Sequence, residues 1–280
     1  MESIVSSDKL VRPKPFVKWA GGKTQLLPYL LERMPRKYER YFEPFIGGGA
    51  LFFKVTPRQG YISDINPELI NAYQVIQLNV ESLIEDLNKH IYDKKYYYKL
   101  RNVDRTPEFK NWSPVKKASR IIALNKSCFN GLYRVNSKGH FNVPFGRYKN
   151  PKLSDAFNLR ECSKALKETK IVLGSFDLIK QNVQQGDFVY FDPPYAPLNT
   201  TSSFTSYSKE GFDNKMQENL RDICVALDCR QVKFMLSNSS TPLILELYKD
   251  FHLSFVDASR AINSRGDKRG KVKEVIVTNY

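Results

Sequence analysis

No stretch of the 280 residues approaches the roughly 18 consecutive apolar positions that a membrane-spanning helix needs. Residues 1–15 are polar and mixed in charge, which argues against a secretory signal. Cysteine is scarce: Cys128, Cys162, Cys224 and Cys229 form no C-x-x-C pair and have no histidine partner at zinc spacing. A metal site is therefore not expected, and the thiols read as free in a reducing, cytoplasmic compartment. Acidic residues are also short, 29 against 44 basic, which leaves a formal net charge of +15. That imbalance points to a polyanionic partner, either nucleic acid or an anionic surface. What is present suffices to fold: 41% hydrophobic and 13% aromatic residues exclude a disordered chain. The length allows one large or two modest domains.

The positive charge is localised. Residues 81–152 hold 16 basic and 6 acidic side chains, and residues 260–273 hold 6 and 1, so these two stretches account for the whole excess. Such concentration is what a phosphate backbone would select. Short β-rich runs at 41–42, 61–63, 171–173, 188–191, 232–236, 253–256 and 275–278 alternate with helical patterns, which argues for a parallel α/β sheet. Between the second and third run the pattern changes. Leu83, Leu87 and Ile91 recur at helical spacing, Ala118, Ile121 and Ile122 mark a second helix, and Asn136-Ser137-Lys138-Gly139 reads as a hairpin turn. The expected organisation is thus an α/β domain in two parts, 1–79 and 156–280, interrupted by a basic, mostly helical insert at 80–155. Residues 263–270 read as a mobile loop before the last strand.

Three motifs carry chemistry. Phe16-Val17-Lys18-Trp19-Ala20-Gly21-Gly22-Lys23-Thr24 ends like a phosphate loop, but Val17 stands where that loop needs glycine. What remains is a glycine turn that brings a cation and an aromatic ring to a helix start. Glu43-Pro44-Phe45-Ile46-Gly47-Gly48-Gly49 follows the first strand, and its glycines let backbone approach a ligand and leave amides free. Asp64 ends the next strand, placed to accept hydrogen bonds from ribose hydroxyls, which is the pattern of an adenosine site. Phe52 occupies the third glycine position of a dinucleotide fingerprint, so NAD is disfavoured. In Asp187-Phe188-Val189-Tyr190-Phe191-Asp192-Pro193-Pro194-Tyr195 an apolar strand runs into a rigid turn. The Asp192 carboxylate and the Pro193 carbonyl are two fixed acceptors suited to an amino group. Accepting both N–H bonds of a ring-conjugated amine favours its pyramidal form and frees the lone pair, while Tyr195 can stack on the base.

In this order, with a basic insert between the second and third, the motifs resemble the Dam-type adenine-specific DNA methyltransferases, nearest to the GATC-methylating enzymes of bacterial restriction-modification systems. The likeness runs from Phe16 to Tyr280 and includes Phe129-Asn130-Gly131-Leu132-Tyr133-Arg134 and Phe141-Asn142-Val143-Pro144-Phe145-Gly146-Arg147-Tyr148. It implies a Rossmann-like, S-adenosylmethionine-dependent methyltransferase sheet with an inserted DNA target recognition domain. By the resemblance, Trp19, Lys23, Asp64 and Asp192 bind the cofactor, with Phe45, Gly47 and Gly49 lining it. Asp192, Pro193, Pro194 and Tyr195 form the catalytic corner. Leu132, Arg134, Pro144 and Tyr148 match positions that read the target bases, with Lys18 reaching the outer guanine. Phe129 and Asn130 match positions that fill the gap left by a displaced adenine. The expected partners are double-stranded DNA and a cognate restriction endonuclease, with no membrane.

The residues support this independently. An amine hidden in a duplex must be extruded at a cost of about a few kcal/mol, which basic phosphate contacts and wedge side chains offset. Arg134 suits bidentate contact with a guanine edge. Cytosine C5 methylation would need a nucleophilic cysteine, in that family one after a proline, and none of the four follows Pro. Two alternatives stay open on sequence alone: a methyltransferase acting on an RNA adenine or a protein amide, and a non-catalytic DNA-binding protein.

Overall fold

The computed structural model describes residues 12–197, 212–259 and 271–280. Seven strands, β1 (Tyr41–Glu43), β2 (Gly60–Asp64), β3 (Thr169–Leu173), β4 (Phe188–Phe191), β5 (Lys233–Ser239), β6 (His252–Ser259) and β7 (Lys271–Thr278), form one sheet in the order β3-β2-β1-β4-β5-β7-β6. All seven expected runs are strands. The parallel arrangement holds for β1 to β5, but β7 enters antiparallel between β5 and β6, so the sheet is mixed. The reason is the length of the connection: 11 residues, 260–270, separate β6 from β7, and parallel neighbours need a crossover of a dozen or more residues. The loop expected at 263–270 lies outside the described residues.

The helices are α1 (Leu27–Arg33), α2 (Ala50–Val55), α3 (Pro67–Leu78), α4 (Val80–Leu87), α5 (Lys94–Asn102), α6 (Pro114–Ser127), α7 (Ala156–Leu166), α8 (Ile179–Asn182), α9 (Asn214–Cys229) and α10 (Pro242–Leu247). Their starts are written in the sequence. Asn66, Ser113 and Thr241 each accept a backbone N–H of the first turn, and each is followed by a proline at the first helical position. Strand residues alternate between two cores. Tyr41, Phe188 and Tyr190 join α1 to α7 on one face, while Phe42, Val189 and Phe191 join α8 to α10 on the other. A sheet covered on both faces explains why Phe188–Phe191 is apolar throughout.

The chain between β2 and β3 is mostly helical, and its side chains share the first core: Leu83, Leu87, Ile121 and Ile122 are buried with Tyr73 and Ile76 of α3. Ile91 departs from the expected helical stripe. The helix α4 ends at Leu87, and Ile91 is 59% exposed. The turn at 136–139 is a hairpin: Val135 bridges Phe141, the Gly139 amide reaches the Asn136 carbonyl, and Gly139 takes φ of 80°.

Candidate active site

The strand order reverses beside β1, which pairs with β2 on one side and β4 on the other. In an open α/β sheet a ligand crevice forms outside the carboxyl ends of the strands at such a point. Here the loop from Glu43 to Gly49 leaves β1, Asp64 ends β2, and Asp192 follows β4.

The glycine loop is arranged around Asp64. Its Oδ2 accepts the Gly47 amide at 3.2 Å and its Oδ1 accepts the Asn66 amide at 2.9 Å. The Gly49 amide donates to the Ile46 carbonyl at 2.7 Å, and the Tyr73 hydroxyl donates to the Gly47 carbonyl at 3.0 Å. The amides of Gly47 and Gly49 are therefore not the free donors expected from sequence; they fix the acid and the turn. Gly49 must be glycine, with φ of 69° and a Cβ that would lie 2.6 Å from the Tyr73 hydroxyl. Burial pushes the Asp64 carboxyl up, against the pull of the Asn66 and Gly47 amides. Phe45 stacks on the buried Phe176 with centroids 5.2 Å apart, and Ile65, next to Asp64, is 65% exposed.

The Asp192 side chain is 18% exposed and held from two sides. Lys23 Nζ lies 2.7 Å from Oδ1, and the Ser237 hydroxyl donates to the same oxygen at 3.0 Å. Lys23 also donates to the Gly21 carbonyl at 2.6 Å and sits 4.4 Å from the centre of the Tyr195 ring. The Tyr195 hydroxyl donates to Glu274 of β7 at 2.7 Å, and the Pro194 carbonyl accepts from Gln217 of α9 at 3.1 Å. Pro193 is buried and Pro194 exposed. Burial raises the Asp192 carboxyl, opposed by Lys23. Beneath it, Glu43 is buried, accepts the Tyr41 hydroxyl at 2.6 Å, and is pushed up to about 8 by burial, with the Asp192 charge adding to the rise.

The first motif joins this crevice to the chain between β2 and β3. The Trp19 indole lies against Gly47 and stacks on Tyr133, centroids 4.9 Å apart and planes 24° apart. Asn125 of α6 accepts the Lys18 amide at 2.8 Å and donates to the carbonyls of Lys18 and Gly131 at 2.9 Å each. Lys18 Nζ lies 5.5 Å from the centre of the Tyr148 ring. The Phe129 amide donates to the Pro144 carbonyl at 2.9 Å, the Tyr148 hydroxyl donates to the Cys128 carbonyl at 2.9 Å, and the Leu132 amide reaches the Phe129 carbonyl at 3.3 Å. Lys18, Phe129, Leu132, Pro144 and Tyr148 thus share one patch. Phe129 is 52% exposed there, and the neighbouring Asn130 is held left-handed with φ of 55°. Arg134 stands apart on the hairpin, its Nε donating to the Asn142 side chain at 2.7 Å.

Ser237, Glu274, Phe176 and Tyr133 carry weight in this geometry without having been singled out. Phe176 left a signal, an aromatic just beyond the end of β3. Ser237 and Glu274 left none. Among the described residues, no group of three or more His, Cys, Asp and Glu side chains is placed to hold a metal ion, and no helix is long and apolar enough to cross a membrane.

The family profile described as D12 class N6 adenine-specific DNA methyltransferase matches residues 19–262. A Type II methyltransferase of Lactococcus lactis subsp. cremoris, M1.LlaDCHI, is 51% identical over 271 residues, covering 95% of each chain. Another, M.MjaIII of Methanocaldococcus jannaschii, is 44% identical over 287 residues, covering 95% of this chain and 99% of that one. The DNA adenine methylase of Escherichia coli is 33% identical over 268 residues, covering 94% of each.

Proposed function

The chain belongs to the D12 class of N6-adenine-specific DNA methyltransferases, and from that premise we propose that it methylates the adenine of GATC in duplex DNA, using S-adenosylmethionine, as the protective partner of a restriction endonuclease. The observation that carries the reading is the Asp192 carboxylate, held by Lys23 and Ser237 at the strand-order reversal, across β1 from Asp64.

The residues present fit the cofactor by their chemistry. Asp64 offers a carboxylate for ribose hydroxyls, and Phe45, backed by the buried Phe176, with Ile65 and Trp19 offers apolar faces for an adenine ring. Gly47 and Gly49 shape that wall. When bound, S-adenosylmethionine supplies an electrophilic methyl group. The chain's own residues prepare the nucleophile. Asp192 and the Pro193 carbonyl accept the two N–H bonds of the adenine amine, which frees its lone pair. Pro194 keeps the corner rigid, and Tyr195, tethered by Glu274, supplies a stacking face. Lys23 keeps Asp192 in the ionised, accepting form against the effect of burial. The proton displaced from the amine leaves to solvent. Much of the acceleration comes from holding the partners in line.

Residues 80–155 would serve as the target recognition unit. The Lys18, Leu132, Pro144 and Tyr148 patch reads the bases with Arg134, while Phe129 and Asn130 occupy the space left when the adenine is flipped out. Plasmid treated with enzyme and S-adenosylmethionine should become resistant to a nuclease blocked by methylated GATC and sensitive to one that requires it. Incorporation of methyl groups with neither change would reject GATC while retaining the chemistry; no incorporation would reject the whole reading.

A further inference from the structure

We propose that Tyr133 is a positioning residue that couples target reading to cofactor binding, because one ring forms the contact between the cofactor's indole wall and the base-reading segment. This rests on the function proposed above and deepens it.

Tyr133 lies between Leu132 and Arg134, and its side chain stacks on Trp19. Trp19 in turn lies against Gly47, whose amide holds Asp64. On its other edges the ring is fixed by α3 and by the hairpin. Its hydroxyl donates to Glu68 of α3 at 3.0 Å, and Phe141, across the hairpin, meets it edge-on at 5.8 Å. Glu68 is paired at 3.1 Å with Arg120, a fully buried guanidinium that also reaches Asp104 at 2.9 Å, and Asp104 accepts the Phe141 amide at 2.7 Å. The hairpin, α3 and the indole therefore meet at one side chain, and Arg120 ties α6 to the same Glu68 carboxylate. A displacement of the hairpin on a target duplex displaces this ring, and the ring cannot shift without moving Trp19. Whichever ligand arrives first orders the shared ring, so the second loses less freedom on binding. Such coupling is reciprocal between the two sites. The Lys18 to Asn125 hydrogen bonds tie the same elements independently, so removing the ring leaves the insert docked.

The test is calorimetric and needs no turnover. S-adenosylhomocysteine is titrated into the full chain alone, with a GATC duplex, and with a scrambled duplex. In the wild type the GATC duplex should tighten S-adenosylhomocysteine by about 5-fold or more over the scrambled one. Tyr133→Leu, which loses the stack but keeps bulk, should bring that ratio to about 1 while both probes still bind. Tyr133→Phe, which keeps the stack, should retain most of the effect. A wild-type ratio of 1 with both probes bound, a Leu variant with the wild-type ratio, or a Phe variant as uncoupled as the Leu variant would each overturn this inference alone. Failure of the wild type to bind S-adenosylhomocysteine, or GATC and scrambled duplexes bound alike, would overturn the functional reading and this inference with it.

Discussion

The carboxylate of Asp192 shares one oxygen between a cation and a hydroxyl, which leaves its other oxygen free of both. Removing that acceptor takes away a preorganised contact worth about 10² to 10³ in rate. Asp192→Ala is expected to lose at least that much methyl transfer while duplex binding, measured by fluorescence anisotropy, survives; retained turnover would end the catalytic assignment. Glu43 makes a separate, pH-dependent statement. Its native carboxyl titrates at about 8 rather than 4.5, so between these values the folded chain binds more protons than the unfolded one. The stability it contributes is complete below pH 4.5 and lost as pH rises through 8. Comparing urea unfolding at pH 5.5 and 8, the wild type should lose on the order of 2 to 3 kcal/mol more than Glu43→Gln. An equal loss in both would refute the assignment. Lys23, Asp64 and Asp192 were legible in the sequence because each stands beside a glycine turn or a strand end. Ser237 and Glu274 were not, since each reaches its partner only through sheet pairing, 45 and 79 residues along the chain.

At the scale of elements, the strands were legible because each is a short apolar run bounded by turn residues, and both faces of the sheet are covered. The direction of β7 was not, because pairing sense depends on what connects two strands rather than on their composition. The same limit applied to α4, where helical spacing extended to Ile91 but the helix stops at Leu87 and its neighbour Asn88 begins the exit. The hairpin around Gly139 was legible from its turn residues, yet nothing in the pattern told that Arg134 would be tied to Asn142 on the opposite arm. That tie lays the guanidinium across the hairpin, its Nη2 also reaching the Asn142 carbonyl at 3.4 Å. Arg134→Ala is expected to cost about 1 to 3 kcal/mol on a GATC duplex and much less on a scrambled one, read as a ratio of dissociation constants. Equal losses on both would make Arg134 a phosphate contact instead.

Over the whole molecule, the net charge of +15 would give only general attraction to a polyanion if it were spread evenly. It is not: residues 81–152 contribute +10, and they pack on α3, on the face of the sheet opposite α9. A duplex held by the insert should therefore release counterions mainly there. The logarithm of the binding constant should fall linearly with the logarithm of salt concentration, with each phosphate contact adding about 0.9 to the slope. Lys138 and Lys149 are exposed on the insert, and Lys215 is exposed on α9. Replacing either of the first two with alanine should lower the slope by about 0.9, equally on GATC and scrambled duplexes, while Lys215→Ala leaves it unchanged. Were the α9 variant to change the slope as much as the insert variants, the duplex would have to contact both faces of the sheet, and the insert could not be the principal DNA-binding surface.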